Sequence, residues 1–404
     1  VSSPGSPTPI LDRLAPLPSP APPGSRLAAA GGWLILIAAL AAALALALAQ
    51  PAALEPLRRS LLASFPGVFA ARPTGVGLLA QGLAALLALP AAIAIHEVGH
   101  VLGGLAAGFR FVSLRIGPLQ VDRPFLVSLQ GRSRSGYSGW ASMVPVRRDG
   151  LSLRAAVFVL GGPAANVVSG TAALLLPSAN GLFALAFASF SLALAVKELM
   201  PIRHRIAVSD GRRLWLTWRD RQWAKRWMAL LRLGAELDAG APPESLSADD
   251  LARAVAHRDA SPDTVTAHGL AFAAAFHQRR DREAGLLLET CLEYSSWAAP
   301  ATREALMSDA AVFQARRRGR ADLAEQWLAG LPRDGRSRWL RSRAEAAILE
   351  ARGDFSGALL KLDEVEEHGR GVADRAQRRR LLRMLARWRS ELQAADPGGR
   401  LEVT

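Results

Sequence analysis

The hydrophobic pattern splits the chain into two halves of different character. Ala28 to Ala49 and Val76 to Ile95 contain no charged residue, and Leu153 to Leu176 contains only Arg154. Leu182 to Val196, uncharged throughout, begins a fourth such run. Runs of this kind are long enough to enter a hydrocarbon core about 30 Å thick, so the pattern predicts four membrane-spanning helices. Phe109 to Ile116 alternates apolar and polar residues, Gly117-Pro118 marks a turn, and Val121 to Leu129 and Tyr137 to Val146 again read as extended. They predict a small β-hairpin insertion between the second and third spans. It serves either as a plain connection or as an edge that pairs with an unwound segment of another protein. From Ser247 onward, apolar residues are set among dense Arg and Glu at helical spacing. The expected fold is an all-α polytopic membrane protein with that insertion, followed by a soluble α-helical repeat-like domain.

The boundaries follow from composition. Residues 1–26, rich in Pro, Ser and Gly, read as a disordered tail. Residues 27–211 form the membrane-embedded domain, 212–245 a juxtamembrane segment, and 246–404 the helical domain. In the juxtamembrane segment Trp215, Trp218, Trp223 and Trp227 stand among Arg and Lys. Such a helix either lies in the headgroup region or packs as the first helix of the soluble domain. Within that domain Gly319 and Gly353 occupy equivalent places thirty-four residues apart, the tetratricopeptide period, and Leu328 and Leu362 also correspond. Arg280 to Ala284 is a looser third copy. Stacked helical hairpins commonly offer a partner-binding groove, which implies a cytoplasmic protein partner. His257, His268 and His277 lack ligand spacing and read as surface or core histidines.

The net charge of +14 comes from 49 Lys and Arg against 35 Asp and Glu. The excess sits where a membrane protein keeps it, so no nucleic-acid partner is expected. Arg110, Arg115, Arg123, Arg132, Arg134, Arg147 and Arg148 follow the second span, and Arg203, Arg205, Arg212 and Arg213 follow the fourth. Both groups belong in the cytoplasm. Four spans then leave both termini there, in a multi-pass protein of a bacterial inner (plasma) membrane. The single cysteine, Cys291, excludes an intrachain disulfide and any Cys-based metal site.

The chemistry is concentrated in His96-Glu97-Val98-Gly99-His100. On a helix His96 and His100 leave the same face and can hold one Zn²⁺, with Glu97 placed to deprotonate or orient a bound water. Imidazoles and a carboxylate at membrane depth are costly unless they face a bundle interior or a wet cavity. The same residue types would suit a proton relay. Asn166, a polar amide in the third span, either binds neighbouring helices or donates into an active site.

His96-Glu97-x-x-His100, then Gly162-Pro163-x-x-Asn166, then Pro201 to Asp210-Gly211 together resemble the site-2 protease family of intramembrane zinc metallopeptidases. The resemblance covers Val76 to Arg213. It implies one zinc per chain held by His96, His100 and Asp210, with Glu97 as general base and later proton donor. It further implies that Asn166 holds the substrate backbone or the developing oxyanion, and that the substrate is a membrane-spanning protein. Two departures stand out: Glu198 replaces an expected Asn, and the Pro201 to Asp210 spacing is long, with His204 inside it as a competing third ligand. A catalytically degenerate membrane scaffold, its repeats recruiting a cytoplasmic partner, is the alternative reading.

Overall fold

The computed structural model describes residues 10–12, 17, 75–129, 139–175, 182–203, 208–333, 337–370 and 375–395. The first expected span, most of the expected tail, the connection over 51–74 and His204 lie outside them. Two compact units are present: Pro22–Ala224, and Val1–Ala21 together with Lys225–Thr404.

The first unit is built on α1 (Gly75–Ala106), which runs on through Pro90. Helices α2 (Leu151–Leu175) and α3 (Leu182–Leu199) pack against it and against each other. Glycine permits the closest approach. A Cβ on Gly161 would run into the Gly99 carbonyl and one on Gly99 into the Gly161 carbonyl, while a Cβ on Gly103 would lie 2.9 Å from the Val157 carbonyl oxygen. Small residues at such crossings let two helix backbones meet closely. Arg154 fixes one end of the pair: Nε donates to the Ala107 carbonyl and Nη2 to that of Gly108 at 2.6 Å, capping the end of α1.

Most of the exposed residues of these helices are apolar, with Ser152 and Thr171 of α2 as exceptions. Ile95, Val98, Leu102 and Leu105 are exposed on α1, and Leu153, Val157, Leu160 and Val168 on α2, while His96, Glu97, His100 and Asn166 are buried. Polar groups inside and apolar groups outside invert the arrangement of a water-soluble bundle. Among the described residues, Leu86–Ala106 and Leu151–Leu175 are long and apolar enough to cross a membrane.

The expected hairpin is larger than the alternation suggested. Strands β1 (Phe109–Ile116), β2 (Leu119–Asp122), β3 (Leu126–Leu129) and β4 (Gly139–Pro145) form an antiparallel sheet in the order β3-β2-β1-β4. Val121 to Leu129, read as one strand, is two. Pro124 offers no N–H to a ladder, and a tight turn forms in which Phe125 N–H donates to the Asp122 carbonyl at 2.7 Å.

After α3 come α4 (Asp210–Arg219) and α5 (Arg221–Asp238). The four tryptophans divide between the two expectations: Trp215 and Trp218 of α4 are exposed, whereas Trp223 and Trp227 of α5 are buried.

In the second unit, α6 (Ala248–Val255) precedes three helix pairs: α7 (Pro262–His277) with α8 (Asp281–Glu293), α9 (Pro300–Arg318) with α10 (Ala321–Ala329), and α11 (Arg338–Ala351) with α12 (Phe355–Arg370). Helix α13 (Arg375–Ala395) follows and packs on α12. Gly319 and Gly353 both take positive φ at the turn of their pair, which explains their recurrence. The first pair uses Arg279 in the same left-handed conformation, so its turn carries no glycine signature. His268 is fully buried, its Nδ1 2.9 Å from the Thr264 carbonyl, and is a core histidine.

The expectation of a disordered tail fails at one point. Ile10–Asp12 forms a 3₁₀ turn, and Leu11 is buried in the apolar core of the helix pairs.

Candidate metal centre

Three elements converge on one point. Helix α1 presents His96 and His100 from successive turns of its buried face, as i, i+4 spacing requires. The first residue of α4 presents Asp210. His96 Nε2 lies 3.1 Å from His100 Nε2, and Asp210 Oδ2 lies 3.3 Å and 3.2 Å from those two nitrogens. All three side chains are buried.

The donor set of this triangle could hold a metal ion. Two imidazoles facing each other through Nε2 share room for one proton at most, and Asp210 Oδ2 makes no hydrogen bond of good geometry with either ring. An ion held tetrahedrally with bonds of about 2.0–2.1 Å keeps its ligand atoms roughly 3.3 Å apart. The three observed edges match that spacing, so the residues fit a small divalent cation.

The rings are fixed from behind. His100 Nδ1 stands 3.0 Å from the Phe158 carbonyl of α2, which can only accept. His100 therefore carries its proton on Nδ1 and offers the Nε2 lone pair inward. The side-chain amide of fully buried Asn166 stands 3.2 Å from His96 Nδ1. Its Oδ1 has no other partner. The two ends of an amide have the same shape. With the oxygen turned to His96 the ring keeps its proton on Nδ1, and the second Nε2 lone pair also points inward. Gly162 makes room for His100: a Cβ there would sit 2.5 Å from Nε2.

Glu97 is buried beside this group, and its carboxylate lies under β4. A Cβ on Gly139 would stand 2.7 Å from Glu97 Oε1. His96, Glu97 and His100 of the motif and Asn166 are thus brought together with Asp210, while His204 falls outside the described residues. Glu198 is met by its neighbour Lys197, whose Nζ donates to it at 2.5 Å.

The long spacing before Asp210 is closed locally. Arg203 and Val208 form an antiparallel bridge, and the Ser209 N–H donates back to the Ile202 carbonyl at 3.0 Å. Ser209 Oγ accepts from Ile202 N–H at 3.0 Å and donates to the Met200 carbonyl at 2.5 Å, while also capping α4 by accepting from Arg212 N–H. Gly211 lies against the Leu199 backbone, where no Cβ fits. Ser209 is the positioning residue that sequence reasoning missed. A Ser just before Asp-Gly at a helix start was the available signal.

No family model matches the chain, and neither a curated protein nor a solved structure matches it. The functional reading therefore rests on the geometry above.

Proposed function

We propose that the protein is an intramembrane zinc endopeptidase that hydrolyses a peptide bond in or next to a transmembrane segment of another protein. The observation that carries the reading is the triangle of His96, His100 and Asp210 donors with Glu97 buried beside it. His96, His100 and Asp210 would hold one zinc, leaving a fourth position open. When bound, that ion polarises the peptide carbonyl and lowers the pKa of water at the site.

The chain's own residues supply the rest. Glu97 takes a proton from the attacking water and later returns it to the departing amine. Asn166 and the Phe158 carbonyl keep the two imidazoles in the tautomer that faces inward. A helical peptide bond is shielded by its own hydrogen bonds, so the substrate must be extended before attack. In the described sheet β4 is an edge strand, and Gly139 on it touches Glu97. A substrate strand added to β4 would run past the base.

The inverted surface of α1 and α2 supports placing this site within a bilayer. Ile10–Asp12, which precedes the uncharged run Ala28 to Ala49, packs on helices that follow the last membrane segment. Four spans with both ends on the cytoplasmic side, as the Arg distribution favours, would accommodate that contact.

The test is reconstitution of the full chain in proteoliposomes with single-span reporter proteins whose spans contain helix-breaking residues. The wild type should release a soluble reporter fragment, Glu97→Gln should not, and a chelator should stop release reversibly. Release by Glu97→Gln at the wild-type rate would remove the mechanism.

A further inference from the structure

The turn at Ile10–Asp12 is held at successive backbone groups as well as by its side chains. The Ile10 and Leu11 N–H groups both donate to the Glu289 carboxylate of α8, the second at 2.9 Å. The Leu11 carbonyl accepts from Gln314 Nε2 of α9 at 2.6 Å and from Trp327 Nε1 of α10 at 3.4 Å. The Leu11 side chain is only 1% exposed, in the same apolar cluster as Leu288, Phe313 and Ala324. Asp12 pairs with Arg318 at the end of α9 and also accepts from Gln314 at 3.3 Å.

These features describe a receptor for a short peptide turn. Gln314 is 0% exposed, yet the hydrogen bonds of its amide group go to Leu11 and Asp12. A wholly buried amide inside a helical repeat is costly unless a backbone carbonyl meets it. A single carboxylate that accepts from two successive N–H groups likewise suits a main chain. An apolar pocket sets the central residue, and Arg318 selects an acid after it. Every one of these contacts is to a three-residue stretch set in a region of Pro, Ser and Gly. None of them depends on that stretch belonging to the same chain.

We propose that the cleft between α8, α9 and α10 is a peptide-binding site for an aliphatic-Leu-Asp segment. Ile10-Leu11-Asp12 is its intramolecular occupant, and a cytoplasmic protein carrying the same three-residue chemistry displaces it. A tethered occupant acts at an effective concentration of the order of mM, so a free peptide competes poorly until the tethered copy is weakened. Displacement frees the segment that leads into the run Ala28 to Ala49. Partner binding is thereby coupled to the chain entering the membrane region.

The experiment uses the full chain in detergent and a fluorescein-labelled peptide with the sequence of residues 7–15, followed by anisotropy. Leu11→Glu should bind the peptide at least tenfold more tightly than the wild type, and adding Arg318→Glu to that variant should abolish the gain. A second form carries a protease recognition sequence inserted after Pro23. After cleavage, excess labelled peptide should replace the cut N-terminal segment, seen by mass spectrometry of the retained species. Equal affinity in the wild type and Leu11→Glu would overturn the proposal. So would a cut segment that never exchanges, or whose removal unfolds the helices without peptide restoring them, since the turn would then be a fixed part of the fold.

Discussion

The side-chain amide of Asn166 lies 3.2 Å from Nδ1 of His96, the ring nitrogen that faces away from Asp210. On the proposed reading this contact makes Asn166 a positioning partner of the imidazole, where the family resemblance implied a substrate-holding role. Asn166→Ala should weaken zinc binding by about 10- to 100-fold, the usual cost of losing a partner behind a ligating His. Asn166→Asp, which still accepts from Nδ1–H, should keep most of the affinity. Competition with a zinc-responsive dye measures both. Unchanged affinity in Asn166→Ala would return the residue to the substrate.

Gly139 and Glu97 are the next pair. A side chain at Gly139 cannot coexist with the present Glu97 rotamer, because its Cβ would meet Oε1 at 2.7 Å. Gly139→Val should therefore lower kcat by about 10²-fold, the scale of a misplaced acid–base group. Zinc content should stay at the wild-type value, since Glu97 is not a ligand.

Two glycines give opposite expectations for one substitution. In an ordinary helix Gly→Ala stabilises by up to about 1 kcal/mol. Gly269 of α7 has open space around it, so Gly269→Ala should follow that rule. Gly161→Ala should instead destabilise by about 1–3 kcal/mol, because the obstacle is the Gly99 backbone, which cannot rotate aside. Unfolding of the detergent-solubilised chain, monitored separately for the two units, distinguishes the two signs.

The contrast between what the sequence revealed and what it hid follows physical lines. Long uncharged runs and the i, i+4 histidines are local signals, and α1, α2 and the paired imidazoles follow from them directly. Asp210 was reachable only through the resemblance, because its approach depends on the Arg203–Val208 bridge and on Ser209, contacts between residues whose pairing no periodicity encodes. The sheet was underestimated since Pro124 divides what reads as one extended run. Ile10–Asp12 was hidden altogether: three residues carry no period, and their order comes from Glu289, Gln314 and Trp327, far along the chain. The third repeat read as loose because Arg279 adopts the left-handed turn that glycine marks elsewhere.

An ion pair between buried Arg226 and half-buried Asp259 makes the helical unit sensitive to acid. Arg226 is fully buried and grips Asp259 with Nη1 at 2.7 Å and Nη2 at 3.1 Å. Burial opposes ionisation of Asp259, but hydrogen bonds from Arg226, Ser261 and Thr264 prevail and hold its pKa down to about 2. A folded-state pKa below the unfolded one gives stability that is present at neutral pH and lost as pH falls from about 4 through 2; solvent screening at half-exposed Asp259 keeps it to about 1 kcal/mol. The stability difference between wild type and Asp259→Asn should be constant above pH 5 and shrink toward zero near pH 2. Denaturant titrations at a series of pH values, read by tryptophan fluorescence, test this.

The most direct measurement is zinc per chain in detergent-purified protein, by elemental mass spectrometry, for the wild type, His100→Ala and Asp210→Ala. Loading zinc before removing the excess guards against metal stripped in purification. The geometry predicts close to one zinc in the wild type and strong loss in both variants, because each removes one corner of the triangle. A wild type that holds no zinc after loading, or an Asp210→Ala protein that keeps its full complement, would contradict the site on which the proposed chemistry depends.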